Sequence, residues 1–307
     1  MLFLIYINDI GNSLEENVLK LFADDTNLFL FDRDVLKLES KANYCLKKLE
    51  LWFLANKLSL NIEKTCYTIF TSSKKKNHNI SLNLLINNQR IAKVTSCKYL
   101  GVIIDDSLKW EEHINYIYKK LIKFTGIFFK VRDVLPKACL SKLYYAFVHP
   151  HIMYGIEVYA NSSKTALDKL CKLNNKLLRI FLNKKMSSPI NTLYETLNTL
   201  PIPVLHELQL LLLVHKCTHH SHLMPNIFKN YFVLNKTIHN YNTRKLADLH
   251  VCHAKSNFGH RSTMYRGSKF WNNLPAHLKI KSSISVFKKN IKKHLCSRNS
   301  NLIWCRL

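Results

Sequence analysis

At 307 residues the chain is long enough for two domains, and a hydrophobic fraction of 47% supplies a buried core and excludes wholesale disorder. Lysine and arginine number 46 against 20 acids, and the excess is uneven: residues 1–110 hold 15 basic and 12 acidic side chains, residues 111–307 hold 31 and 8. A net +23 over the second stretch, with 14 of the 15 histidines, favours nucleic acid as a partner, although a generally lysine-rich surface gives the same count.

The nine cysteines are scattered and never form C-x-x-C, which fits reduced thiols in an intracellular protein, nuclear or cytoplasmic, and not a disulfide framework. The opening MLFLIYI lacks a basic flank and runs straight into Asn8-Asp9, so no signal peptide is expected. No apolar run reaches the roughly 18 residues that span a bilayer, so no membrane partner is expected.

In chain order, residues 1–10 open on an apolar run with no helix start signal. NVLKLF and TNLFLF are β-prone runs on either side of Ala23-Asp24-Asp25, which predicts a hairpin with the acids at its tip. Val35, Leu38, Ala42, Cys45, Leu46, Leu49 and Phe53 recur at helical spacing behind Asp34, a candidate N-cap. LSLNIEKTCYTIF (58–70) reads as a turn and strand, KKKN (74–77) as a loop, and SLNLLINNQRI and SCKYLGVIID as two further strands. After Trp110 the pattern turns helical. Ile114, Ile117, Leu121, Phe124, Phe128 and Val131 mark one helix, and others are expected over about 138–160, 164–183 and 203–222. LQLLLLV (208–214) predicts a buried helix. Within 164–183, Lys169, Lys172, Lys176 and Arg179 share one side, either as a solvated face or as a nucleic-acid-binding stripe. From about 223 the chain is polar and only short elements are expected.

Asp24 and Asp25 admit two explanations. Aspartate is a favoured turn residue. Alternatively, paired carboxylates suit Mg²⁺, a hard ion often held by one or two carboxylates together with substrate phosphates. CTHHSH (217–222) and CHAKSNFGH (252–260) raise the question of a zinc knuckle, but no clean ligand pair at zinc spacing is present, which favours histidines on a basic surface.

The order YINDI, FADDTNLFLF, a helix, NKLSLNIEKT and KYLGVIID resembles the second half of the palm of a reverse transcriptase, of the non-LTR, LINE-type retrotransposon group. The resemblance implies an α+β fold: a partial palm over 1–106, a helical thumb-like region over 107–200 and a basic C-terminal region over 201–307. It implies RNA-directed DNA polymerisation with Mg²⁺ as cofactor and an RNA template and DNA primer as partners. Carried over residue by residue, Asp24 is a metal ligand with Asp25 beside it, and Phe22 stands where other reverse transcriptases have tyrosine. Lys64 is a candidate proton donor to pyrophosphate, and Tyr99, Leu100 and Gly101 form the primer grip. HNYNTR (239–244) and GSKFWNNLPAHLK…FKKNIKKHL (267–295) resemble C-terminal parts of such elements, with no assigned chemistry.

The resemblance also implies a further metal-binding aspartate and nucleotide-clamping fingers upstream of LFLIYINDI, so Met1 is expected to be an internal methionine or a gene-model boundary. Asp9 aligns with the INDI signature instead, and Asp105 and Asp106 end the primer-grip hairpin. Two functions remain open at this point: a reverse transcriptase fragment inactive alone, or a non-catalytic nucleic-acid-binding or relic protein derived from a transposable element.

Overall fold

The computed structural model describes residues 2–14, 19–71, 80–238 and 245–300. The KKKN loop and the HNYNTR motif lie outside the described residues. The fold is α+β, with four small two-stranded sheets in the first part and helices throughout the second. Two compact units divide the chain, Met1–Leu108 and Lys109–Leu307.

In the first unit a short helix, α1 (Leu2–Tyr6), precedes a 3₁₀ turn at Asn8–Ser13 and the strands β1 (Leu19–Phe22) and β2 (Asp25–Leu28). The expected helix follows as α2 (Val35–Ala55), and Asp34 caps it by accepting a hydrogen bond from the Leu36 backbone N–H at 2.9 Å. Helical spacing gives α2 two apolar faces. Cys45 and Leu49 pack with Ile10 and Leu14, whereas Ala42 packs with Leu82, Leu84, Ile86 and Ile91. The unit therefore has two small cores on either side of one helix.

The stretch SLNLLINNQRI, expected as one strand, is a tight hairpin of β4 (Leu85–Ile86) and β5 (Gln89–Arg90). Asn87 and Asn88 both take positive φ, the geometry of a two-residue hairpin turn, and asparagine tolerates it better than most residues. Before it, β3 (Cys66–Tyr67) pairs in parallel with β6 (Ala92–Lys93). SCKYLGVIID is likewise a hairpin, of β7 (Ser96–Tyr99) and β8 (Val102–Asp105).

The second unit begins with α3 (Glu111–Val131), which buries Ile114, Ile117, Leu121 and Phe128 as the periodicity predicts. The helix expected over 138–160 is instead broken. It runs as α4 (Lys137–Leu143), a π-helical turn (Tyr144–Val148), α5 (His149–Met153) and α6 (Ile156–Tyr159). Pro150 has no N–H to give the carbonyl four residues back and crowds it, which accounts for a widened turn immediately before α5. Gly155, at φ 69°, separates α5 from α6.

Next come α7 (Lys164–Phe181), capped by Ser163 Oγ accepting from the Ala166 N–H, and α8 (Ile190–Thr196). The following helix, α9 (Ile202–His219), is buried on nearly every side, as its all-apolar run requires. The tail carries α10 (Asn235–Ile238), α11 (Asn257–Arg261), α12 (Thr263–Asn272) and α13 (Ile284–Ser300). A 17-residue α13 corrects the expectation of short elements only beyond 223. Its core face is one residue wide: Phe287, Ile291 and Leu295 are all buried, four residues apart, among lysines. One continuous core joins α3, α7, α9, α12 and α13. Among the described residues no helix is long and apolar enough to cross a membrane.

Candidate functional site

The first hairpin pairs Leu19 with Leu28, Lys20 with Asn27, Leu21 with Thr26 and Phe22 with Asp25, leaving Ala23 and Asp24 as a two-residue loop. Such a loop demands a positive φ, usually met by glycine or asparagine. Here Ala23 supplies it at φ 51°, at a cost of about 1–2 kcal/mol for an L-residue in left-handed conformation. The strain puts Asp24 at the apex and Asp25 first on the return strand. Both carboxylates are exposed, as is the Phe22 ring before them.

The β7–β8 hairpin turns through Leu100 and Gly101, at φ 45° and 83°, the positive pair that a primed turn requires. Tyr99 closes β7, and its ring meets Phe29 edge to face at 6.1 Å. Phe29 directly follows β2, so this contact joins the strand leaving the carboxylates to the second hairpin. Sequence reasoning missed Phe29, although it stands in the apolar run TNLFLF.

Lys64 ends a 3₁₀ turn (Ile62–Lys64) whose start is capped by Asn61 Oδ1, accepting from the Lys64 N–H at 3.1 Å. Its side chain is exposed, and among the described residues no ion pair joins it to Asp24 or Asp25. Asp105 is buried and accepts from the Ser107 N–H at 3.2 Å and the Ser107 hydroxyl at 2.6 Å, a turn-forming arrangement. Asp9 lies exposed in the Asn8–Ser13 turn.

Over 169 residues the chain is 27% identical to the RNA-directed DNA polymerase from mobile element jockey of Drosophila melanogaster, covering 54% of this chain and 18% of that protein. The corresponding jockey protein of Drosophila funebris is 25% identical over 167 residues, 53% of this chain and 18% of its own length. The chain is similar to the reverse transcriptase of a non-LTR retrotransposon. The match spans less than a fifth of the length of these relatives. No family model and no solved structure matches the chain.

The basic stripe is only partly available to a ligand. Lys169, Lys172 and Lys176 are exposed on α7, and Arg179 is half-buried. Lys169 donates to Asn115 Oδ1 at 2.9 Å and sits 4.6 Å over the Tyr118 ring, while Arg179 donates to the Ser188 carbonyl at 3.2 Å. Lys172 and Lys176 are thus the members that project most freely. Along α3 further cations lie over rings, Lys120 over Tyr116 at 4.6 Å and Arg132 over Phe129 at 3.9 Å. The interleaving of tyrosine and lysine in INYIYKK is the sequence signal that marks this row. Among the described residues no group of three or more His, Cys, Asp or Glu side chains could hold a metal ion, in CTHHSH and CHAKSNFGH as elsewhere.

Proposed function

We propose that residues 1–106 are the carboxylate-bearing half of a reverse transcriptase palm, that 107–200 are thumb-like, that 201–307 form a basic C-terminal region, and that the chain acts on an RNA template and a DNA primer. The observation that carries this reading is the exposed Asp24–Asp25 pair at a hairpin apex, tied through Phe29 and Tyr99 to a second hairpin, in a chain similar to jockey polymerases. As a donor set the two carboxylates fit Mg²⁺, being hard oxygen ligands open on the side where substrate phosphates complete the shell. Asp24 would hold the ion with Asp25 beside it, and the ion when bound supplies Lewis-acid polarisation of the phosphoryl group. Ala23 keeps the approach to the apex clear, Tyr99 with the Leu100–Gly101 turn would orient the primer strand, and the Lys64 ammonium would give its proton to departing pyrophosphate.

Two carboxylates form only part of a two-ion cage, and positioning of reactants can account for about 7–11 kcal/mol of a barrier. Residues 1–307 by themselves are therefore expected to leave a primer unextended. A longer chain carrying a further palm aspartate and fingers should extend it with Mg²⁺ on an RNA template, and Asp24→Asn in that longer chain should abolish synthesis. Primer extension with the three proteins is the test. Robust synthesis by 1–307 alone overturns the expected inactivity of these residues, and survival of Asp24→Asn overturns the catalytic assignment.

The +23 balance of residues 111–307 favours a second reading, a nucleic-acid binder that does not polymerise. Each phosphate neutralised on duplex DNA adds about −0.9 to the slope of log K against log salt. Charge reversal of Lys172 and Lys176 should flatten that slope more than reversal of Lys169 and Arg179, which already have partners in the fold. Binding indifferent to salt would remove this reading.

A further inference from the structure

In the helical unit the π-helical turn (Tyr144–Val148), the turn after α8 and helix α13 meet at one carbonyl oxygen. The Asn198 carbonyl accepts from Lys292 Nζ at 2.6 Å and from the Tyr145 hydroxyl at 3.0 Å, which sets an ammonium of α13 beside a phenol of the π-turn. The Tyr145 ring lies 5.1 Å from the His149 ring. Lys288 stands four residues before Lys292 on α13, so the two side chains rise from one face of the helix. Lys288 and Tyr145 are exposed, and Lys292 and His149 are half-buried.

Three bases are thereby gathered without a counter-ion. Among the described residues no carboxylate pairs with His149, Lys288 or Lys292. Burial foremost, then Lys292 and Lys288, holds the His149 imidazole below its ordinary 6.5. Lys292 is held down likewise, by burial first and also by Lys288, against the opposite influence of Cys296. The other groups facing His149 are the Tyr144 and Tyr145 rings, at 6.2 and 5.1 Å, which carry no charge at neutral pH. Among the described residues no hydrogen bond takes up the His149 ring nitrogens, and neither is sealed in the core. Such a cluster is self-repelling until an anion enters it. A phosphate offers several oxygens to the two ammonium groups and the imidazole together.

We propose that Lys288, Lys292 and His149 form a site for a backbone phosphate of a nucleic-acid strand, built from residues outside the α7 stripe and coupled to proton uptake. The source of the phosphate rests on the nucleic-acid reading above. Lys288 and His149 donate to phosphate oxygens, and Lys292, already bonded to Asn198, adds its charge and its two remaining N–H groups. The bound anion offsets the repulsion from both lysines, so the imidazole takes a proton from solvent and its pKa rises. Binding therefore tightens as pH falls towards that raised value.

The test uses the full 307-residue chain, with fluorescence anisotropy of labelled oligouridylate and histidine NMR, the His149 signal being assigned by its loss in His149→Gln. Lys288→Glu and Lys289→Glu have equal net charge, and their side chains leave α13 about 100° apart. Lys288→Glu should weaken the oligomer roughly fivefold more than Lys289→Glu does, and should flatten the slope of log K against log salt by about 0.7, one contact on a single strand. Its urea midpoint should not fall, because a carboxylate there relieves the cluster. In the wild type the His149 pKa should rise when oligouridylate binds, and affinity should increase from about pH 7.5 to about pH 6.5 by more than in His149→Gln. Equal affinities of Lys288→Glu and Lys289→Glu, or an unmoved His149 pKa in the bound wild type, overturn the site. Inorganic phosphate at constant ionic strength separates the sources. If it raises the His149 pKa while no oligomer binds even at low salt, the nucleic-acid reading has failed and the claim for a backbone phosphate falls with it. If polyglutamate raises the His149 pKa as much as oligouridylate does, the preference for phosphate is refuted.

Discussion

Mild acid should unfold the helical unit through three histidines that the fold keeps neutral. His113, His206 and His215 are almost wholly buried. Burial foremost lowers their pKa values to about 4, 3 and 4, aided in turn by Lys120, by Arg266, and by His219 with His220. In the unfolded chain each titrates near its ordinary 6.5. Between that value and the folded one the unfolded state binds more protons, so stability falls as pH falls from about 6.5 towards 4.

For His206 the difference is worth about 2 kcal/mol at pH 5 and about 3 kcal/mol at pH 4, taking 1.36 kcal/mol per pH unit below 6.5. His113 and His215 act in the same direction, and His215, stacked on Phe287 at 3.9 Å with neither ring nitrogen bonded, has nowhere to place a second proton. A domain is stable by only about 5–15 kcal/mol, so the sum is comparable with the whole stability of such a unit. The assay is urea unfolding followed by circular dichroism from pH 7 to pH 4, on the wild type and His206→Leu. The wild type should lose stability steadily below about pH 6.5, and His206→Leu should lose about 2 kcal/mol less between pH 7 and pH 5. Equal pH dependence in the two proteins would refute the reasoning.

Two substitutions probe the packing more simply. In Gly267→Ala the new methyl would meet the Phe232 ring at 2.8 and 2.9 Å and Val214 Cγ2 at 3.1 Å, so urea unfolding should show a loss of about 1–3 kcal/mol, and an unchanged midpoint would contradict that contact. Ala23→Gly exchanges about 1–2 kcal/mol of left-handed strain for about 0.5–1 kcal/mol of chain entropy, so thermal unfolding of the first unit should show no loss, and a lowered midpoint would mean that Ala23 is not strained there.

The elements that the sequence made legible are those whose signal is local. A two-residue loop between alternating runs specifies the Asp24 hairpin, Asp34 announces α2, and three-four spacing marks α3 and α7, because one chemical preference, apolar side chains out of water, repeats along each. The same logic overlooked α13, where only Phe287, Ile291 and Leu295 face the core and the lysines between them dilute the pattern. It also read through Asn87–Asn88, whose turn signal was present, and through Pro150, which breaks a helix that periodicity alone would continue.

Tertiary structure decided what no local pattern encodes. The parallel pairing of β3 with β6, the meeting of Phe29 with Tyr99, and the Lys169 and Arg179 contacts that occupy half the basic stripe each join residues distant in the chain. Spacing tells a side chain to leave water; which partner receives it depends on how whole helices and hairpins pack, and that choice is made between segments rather than within them.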